Sequence, residues 1–281
     1  MTMHAAPKTA AERDAAARLF AGLAVEAGAV IMEIYARNFD VRAKGDGSPV
    51  SLADEKAEAL ILAGLAQLMP GVPVLAEEAA ARGEAPALGD TFILVDPLDG
   101  TREFVSRNGE FTVNIALVSD GAPLAGAVYA PALNTLWFGG AGAFRAEIAP
   151  GHDLRQARDL TSIRVRVSPA AGMTALASRS HADPQTERFL AGLNIAERIA
   201  AGSSLKFCRV AEGAADVYPR FGPTMEWDTA AGDAVLRAAG GMTQGADGAP
   251  LVYGKTGDLY RNGPFVVWGA NARAMTALTL P

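Results

Sequence analysis

The sequence predicts a mixed α+β and α/β protein with two unlike halves. Three observations predict it: two long amphipathic helices come first, a run of short consecutive strands follows, and from residue 174 strands alternate with helices. The chain has 281 residues, 50% apolar and 20% charged, an ordinary globular composition that fills one large domain or two of typical size.

Thr9 and Glu12 have the spacing of a capping box, and Leu19, Leu23, Val30 and Ile34 recur near the helical period, which predicts a helix over about 10–37. A Gly-rich turn at 44–49 separates it from a second helix near 51–69, which ends before Pro70-Gly71-Val72-Pro73. Short strands are then expected at 91–95, 111–118, 124–130, 135–138 and 143–147, paired mostly antiparallel. Residues 163–167 alternate apolar and basic side chains like a half-exposed strand. The loop at 150–161 before them reads as the region between the halves, giving domains at 1–160 and 161–281. The second half offers strands near 174–178, 214–218 and 264–268 and helices near 184–193, 204–213 and 229–239.

Composition excludes several functions. Lys+Arg number 25 against 31 Asp+Glu, a net charge of −6, which argues against a general electrostatic grip on nucleic acid or an anionic membrane. One cysteine, Cys208, precludes an internal disulfide and a Cys-rich zinc site and reads as a small core residue. The start of the chain carries no apolar core of signal-peptide length. The charge-free run 121–144 is broken by Pro123, Pro131, Asn134 and Gly139-Gly140, so no integral membrane segment is expected. Residues 248–256 approach a phosphate-binding loop, but Tyr253 stands where that loop needs glycine, so a turn is expected.

Chemistry concentrates in three segments. Asp96-Pro97-Leu98-Asp99-Gly100-Thr101 follows an apolar strand, and its two carboxylates and the Leu98 carbonyl can converge on a hard divalent cation, or the aspartates can simply satisfy turn N–H groups. Glu77-Glu78 follows the apolar Val72–Leu75, where paired acids are costly unless neutralised or left in solvent. Asp228, in Trp227-Asp228-Thr229-Ala230-Ala231-Gly232, is a natural N-cap that can also face a metal. Asp54, in Ser51-Leu52-Ala53-Asp54, reads equally as part of a helix start.

Taken in order, E-E, D-P-L-D-G-T and W-D-T-A-A-G resemble the inositol monophosphatase superfamily of Mg²⁺-dependent, lithium-sensitive phosphatases, over nearly the whole chain. Within it, Arg102-Glu103-Phe104, the run 107–114, and the stretches at 178–183, 202–207 and 218–224 resemble the bacterial 3′(2′),5′-bisphosphate nucleotidases. The resemblance implies a layered α-β-α-β-α sandwich, with the metal site in the first half and nucleotide recognition in the second. It implies that Glu77, Asp96, the Leu98 carbonyl, Asp99 and Asp228 bind two or three Mg²⁺, and that Asp54 and Thr101 orient and deprotonate the attacking water.

The N–H groups of Gly100 and Thr101, with Asp228, would contact the substrate, and Lys206, Arg220, Ser203, Ser204 and His181 would recognise the rest of the nucleotide. Lys206 as an exposed helix lysine, Arg220 as a structural partner of Glu226, and His181 as a structural histidine are the competing readings. The implied reaction is removal of the 3′-phosphate of adenosine 3′,5′-bisphosphate, with its sulfated analogue as a second substrate, in turnover of sulfate-assimilation by-products. An inositol or sugar phosphatase and a non-catalytic nucleotide or metal sensor are the alternatives. A cytoplasmic location, with or without peripheral attachment at the inner membrane, completes the expectation.

Overall fold

The computed structural model describes Pro7 and residues 9–37, 49–178 and 184–270. Helix α1 (Ala10–Tyr35) begins at the expected capping box: Thr9 Oγ1 accepts the Glu12 N–H at 3.2 Å and Glu12 Oε2 accepts the Thr9 N–H at 2.9 Å. Helix α2 (Pro49–Leu68) follows; the turn expected over 44–48 lies outside the described residues. Then come β1 (Val74–Ala76), α3 (Glu77–Ala81), β2 (Thr91–Asp99), α4 (Thr101–Val105), β3 (Thr112–Ser119), β4 (Ala122–Ala130), β5 (Thr135–Gly139), β6 (Ala143–Glu147) and β7 (Arg158–Ser162). Strands β1 to β7 form one sheet in sequence order, with β1 parallel to β2 and every later pair antiparallel.

The remaining elements are β8 (Met173–Ser178), α5 (Pro184–Ala191), β9 (Ile195–Ala201), α6 (Leu205–Ala211), β10 (Val217–Arg220), β11 (Thr224–Met225), α7 (Glu226–Ala238), β12 (Met242–Gly245), β13 (Arg261–Asn262) and β14 (Phe265–Trp268). Five strands form a second sheet in the order β12-β14-β10-β8-β9, and β11 pairs with β13.

The layers follow from which faces are apolar. Phe20, Ala24 and Ile31 of α1 and Ile61 and Leu65 of α2 pack on Ile93, Val113, Ile115 and Ala127 of the first sheet. The other face of that sheet, with Phe92, Leu94, Val118, Val128 and Trp137, packs on α6 and α7, which also cover Leu176, Tyr218 and Phe265 of the second sheet. Phe189 and Leu190 of α5 close the far side against Ala175, Val217 and Trp268. This is the expected α-β-α-β-α order. Cys208, Trp137 and Trp268 are core residues, as expected. Helix α1 is long and apolar enough to cross a membrane by length and composition, but the face that makes it so is buried on the sheet.

Four expectations are corrected. Asp96-Pro97-Leu98-Asp99 does not follow a strand but ends β2, where the register to β3 shifts between Asp96 and Asp99. The strand expected at 163–167 lies earlier, at β7, because pairing with β6 fixes it there although every β7 residue is exposed. Helix α7 begins three residues before the expected 229. Asp228 is therefore not its N-cap but its third residue, accepting the Met225 N–H at 2.9 Å. Strand β9, which reads Ile-Ala-Glu-Arg-Ile-Ala-Ala, was not anticipated.

Candidate active site

The site is built where β2 ends. The register shift turns Asp96 inward, where it is 1% exposed and its Oδ1 accepts the Leu98 N–H at 3.0 Å. Leu98 is equally buried. Gly100 then takes φ 93°, a left-handed conformation favouring glycine, and starts α4, leaving Thr101 exposed at its first position. Strand β1 delivers Glu77 to the first turn of α3, beside Asp96 and Asp99. Asp54 reaches the same acids from α2, and Asp228 from α7.

This convergence is electrostatically costly. Burial, followed by repulsion from Glu77 and Glu78, pushes Asp54 up to about 9. Burial and Asp99 push Glu77 up to about 7, and the same two causes push Asp228 up to about 8. Asp96 is raised well above the carboxylate range, by burial first and then by Glu77, Asp99, Asp228 and Asp54. Asp54 Oδ1 is buried without a hydrogen-bond partner. An all-oxygen donor set, an orphaned carboxylate oxygen and several acids raising one another fit a hard divalent cation. Among the described residues, no three acids stand close enough to enclose an ion as they are. Asp96, Asp99 and Asp228 each give one oxygen to a protein donor.

Asp99, Gly100, Ser203, Ser204, Lys206, Arg220 and Asp228 line one cleft, together with Arg102 and Glu103. Asp54, Glu77, Asp96, Leu98 and Thr101 are not in its wall. His181 lies outside the described residues.

Lys206 is not an exposed helix lysine. It is 5% exposed, donates to the Ser203 and Ala201 carbonyls at 2.6 and 3.3 Å, and lies 5.3 Å from the centre of the Tyr218 ring; burial lowers its pKa to about 8. Arg220 does not pair with Glu226: it donates to the Gly222 and Pro223 carbonyls, and Glu226 takes the Gly254 and Lys255 N–H groups and the Lys255 ammonium.

Sequence reasoning missed Glu58. One helical turn after Asp54 and 2% exposed, it accepts the Glu78 N–H at 2.8 Å and pairs with Arg82 at 3.2 Å, anchoring the start of α3. Its i,i+4 spacing from Asp54 was the available signal. Thr112 and Asn114, buried behind Ser203 and Ser204, left no such signal.

The model of the inositol monophosphatase family matches residues 13–278. A 3′(2′),5′-bisphosphate nucleotidase CysQ from Shigella flexneri is 46% identical over 233 residues, covering 82% of this chain and 91% of that protein. The CysQ of Escherichia coli strain K12 is 46% identical over 234 residues with the same coverage. The crystal structure of CysQ from Bacteroides thetaiotaomicron superposes with a TM-score of 0.78 at 40% identity, covering 91% of this chain and 97% of that one. On this agreement of sequence and fold, the chain belongs to the inositol monophosphatase family.

Proposed function

We propose that the protein is a Mg²⁺-dependent 3′(2′),5′-bisphosphate nucleotidase, releasing the 3′-phosphate of adenosine 3′,5′-bisphosphate to leave AMP. The observation that carries this reading is the mixed charge of the cleft, where Asp99 and Asp228 share one wall system with Arg102, Lys206 and Arg220. Acids alone would hold cations, and a simple phosphomonoester needs little beyond them. Arg102 and Arg220 in the same cleft suit a ligand that keeps a second phosphate after the first has left. CysQ nucleotidases 46% identical to this chain support the same substrate.

In this reading Glu77, Asp96, the Leu98 carbonyl, Asp99 and Asp228 hold two or three Mg²⁺. When bound, the metal neutralises the phosphate oxygens and acidifies water. Asp54, whose Oδ1 has no other partner, would take the proton of the attacking water in its ionised form, which bound cations would favour by neutralising Glu77 and Glu78, and the Thr101 hydroxyl would orient that water. The Gly100 and Thr101 N–H groups at the start of α4 face the scissile phosphate. Arg220 meets the retained 5′-phosphate, while Lys206 acts chiefly by holding residues 201–203 through the Ala201 and Ser203 carbonyls. His181 is assigned to the nucleoside, and the sulfated analogue is a second substrate. The enzyme works in the cytoplasm.

The test is kcat/KM on adenosine 3′,5′-bisphosphate and on inositol monophosphate, with and without Mg²⁺. The nucleotide is the better substrate and turnover requires Mg²⁺; a preference for inositol phosphate rejects the nucleotidase assignment. Asp96→Asn lowers Mg²⁺-dependent turnover by more than about a hundredfold, since residues that only support a metal ligand already cost 10–100-fold. Undiminished turnover in that variant rejects the metal site.

A further inference from the structure

Asp99 Oδ2 accepts the Ser203 hydroxyl at 2.5 Å and the Ser204 N–H at 2.7 Å. Ser203 is held at φ 50°, a left-handed conformation that residues with a Cβ rarely adopt. Behind the two serines, Thr112 Oγ1 lies 2.6 Å from Ser203 Oγ and 2.8 Å from Ser204 Oγ. Asn114 Oδ1 lies 2.8 Å from Ser204 Oγ and 3.2 Å from Thr112 Oγ1. Thr112 and Asn114 are 0% and 1% exposed.

Counting protons gives this cluster a direction. Five side-chain contacts share the three hydroxyl protons of Ser203, Ser204 and Thr112. A carboxylate only accepts, so the Ser203 proton goes to Asp99. Ser203 Oγ then accepts from Thr112, and Thr112 Oγ1 accepts from Ser204, which leaves no proton for Asn114 Oδ1. Asn114 Nδ2, meanwhile, is buried without a partner. The two ends of an amide are distinguished by their hydrogen bonds. Turning this one over places Nδ2 where it donates to Ser204 Oγ. The result is a one-way chain from Asn114 through Ser204, Thr112 and Ser203 to Asp99, in which each bond polarises the next.

We propose that Thr112 is a positioning residue that couples cation binding at Asp99 to phosphate binding at the turn 202–204, an inference that rests on Asp99 being a metal ligand. Without a cation, the Ser203 hydroxyl and Ser204 N–H are spent on Asp99. A cation competes for the same Oδ2, and the donors it displaces lie in the cleft wall with Lys206 and Arg220, available to phosphate oxygens. Thr112 keeps the turn in place in both states through Ser204. By linkage, the nucleotide strengthens cation binding by the same factor.

Calorimetric titration of AMP with and without Mg²⁺, and of Mg²⁺ alone, tests this on the wild type, Thr112→Val and Thr112→Ser. The wild type binds AMP about fivefold or more tightly with Mg²⁺; the factor falls to near one in Thr112→Val and returns in Thr112→Ser. Ser203→Ala removes the donor at the Asp99 end without disturbing β3 and lowers the same factor, which guards against Thr112→Val failing to fold. A merely structural threonine would lower the melting temperature and leave the factor intact. A wild-type factor in Thr112→Val, or a factor of one in a wild type that binds Mg²⁺, overturns the coupling. A wild type that binds no Mg²⁺ overturns the assignment of Asp99 itself.

Discussion

Glu58 shows how one side chain outside the cleft governs one of the converging acids. It accepts the Glu78 N–H and pairs with Arg82, so the first turn of α3, and with it Glu77, is fixed by a carboxylate on α2. Glu58→Ala leaves the Glu78 N–H without its acceptor, at about 1–3 kcal/mol. Urea unfolding should register that loss, and the Mg²⁺ concentration for half-maximal activity should rise; an unchanged Mg²⁺ requirement would limit Glu58 to stability. Glu58→Gln keeps an acceptor oxygen and should recover most of the effect. The acids themselves were legible because D-P-L-D-G-T and E-E are contiguous. Thr112 and Asn114 were not, because what they support is distant in sequence and comes close only on folding, and Glu58 was marked only by its spacing from Asp54.

Among the elements, the pairing of β8 with β10 is thin, with a single registered pair, Val217 opposite Ala175. Asp216, 2% exposed and just before β10, reinforces it. Its Oδ2 accepts the Thr174 N–H and the Arg166 guanidinium, both at 2.7 Å, and its Oδ1 accepts Arg166 Nε at 3.0 Å. Burial alone would raise this carboxyl, but the hydrogen bonds from Arg166 and Thr174 outweigh it and leave the pKa lowered. A lowered folded value means stability that is present above the unfolded carboxylate range, near 3.9, and lost as pH falls through the folded value. Asp216→Asn should cost about 1–3 kcal/mol at pH 7 and flatten the acid limb of a stability-versus-pH curve. An acid limb as steep as the wild type's would exclude Asp216 as its source.

Element legibility followed burial. Strand β3, buried along its whole length, was found within one residue, because Val113, Ile115 and Val118 favour strand. Strand β9 was missed because it is an edge with most residues exposed, and its alanines, glutamate and arginine favour helix when read alone.

For the whole molecule, the deciding contact is α7 on the first sheet. Its backbone approaches β4 and β5 at two glycines: a Cβ at Gly126 would lie 2.8 Å from the Ala231 carbonyl, and one at Gly139 would lie 2.9 Å from the Val235 Cα. Gly126→Ala should therefore push α7 outward, at about 1–3 kcal/mol of overpacking. Because α7 carries Asp228, the stabilisation of the fold by Mg²⁺ should weaken as well, measured as the Mg²⁺-dependent shift in melting temperature. A variant with the wild-type shift would uncouple this contact from the site.

The same contact bears on how the chain is made. The first sheet is complete in sequence by Ser162, yet Phe92, Leu94, Val128 and Trp137 on one of its faces are covered by residues from 205 to 239. On the ribosome, that apolar face stays open until α7 has emerged. The nascent chain must carry a finished sheet with a bare side while residues 163–238 are made, the interval in which a chaperone has most to protect.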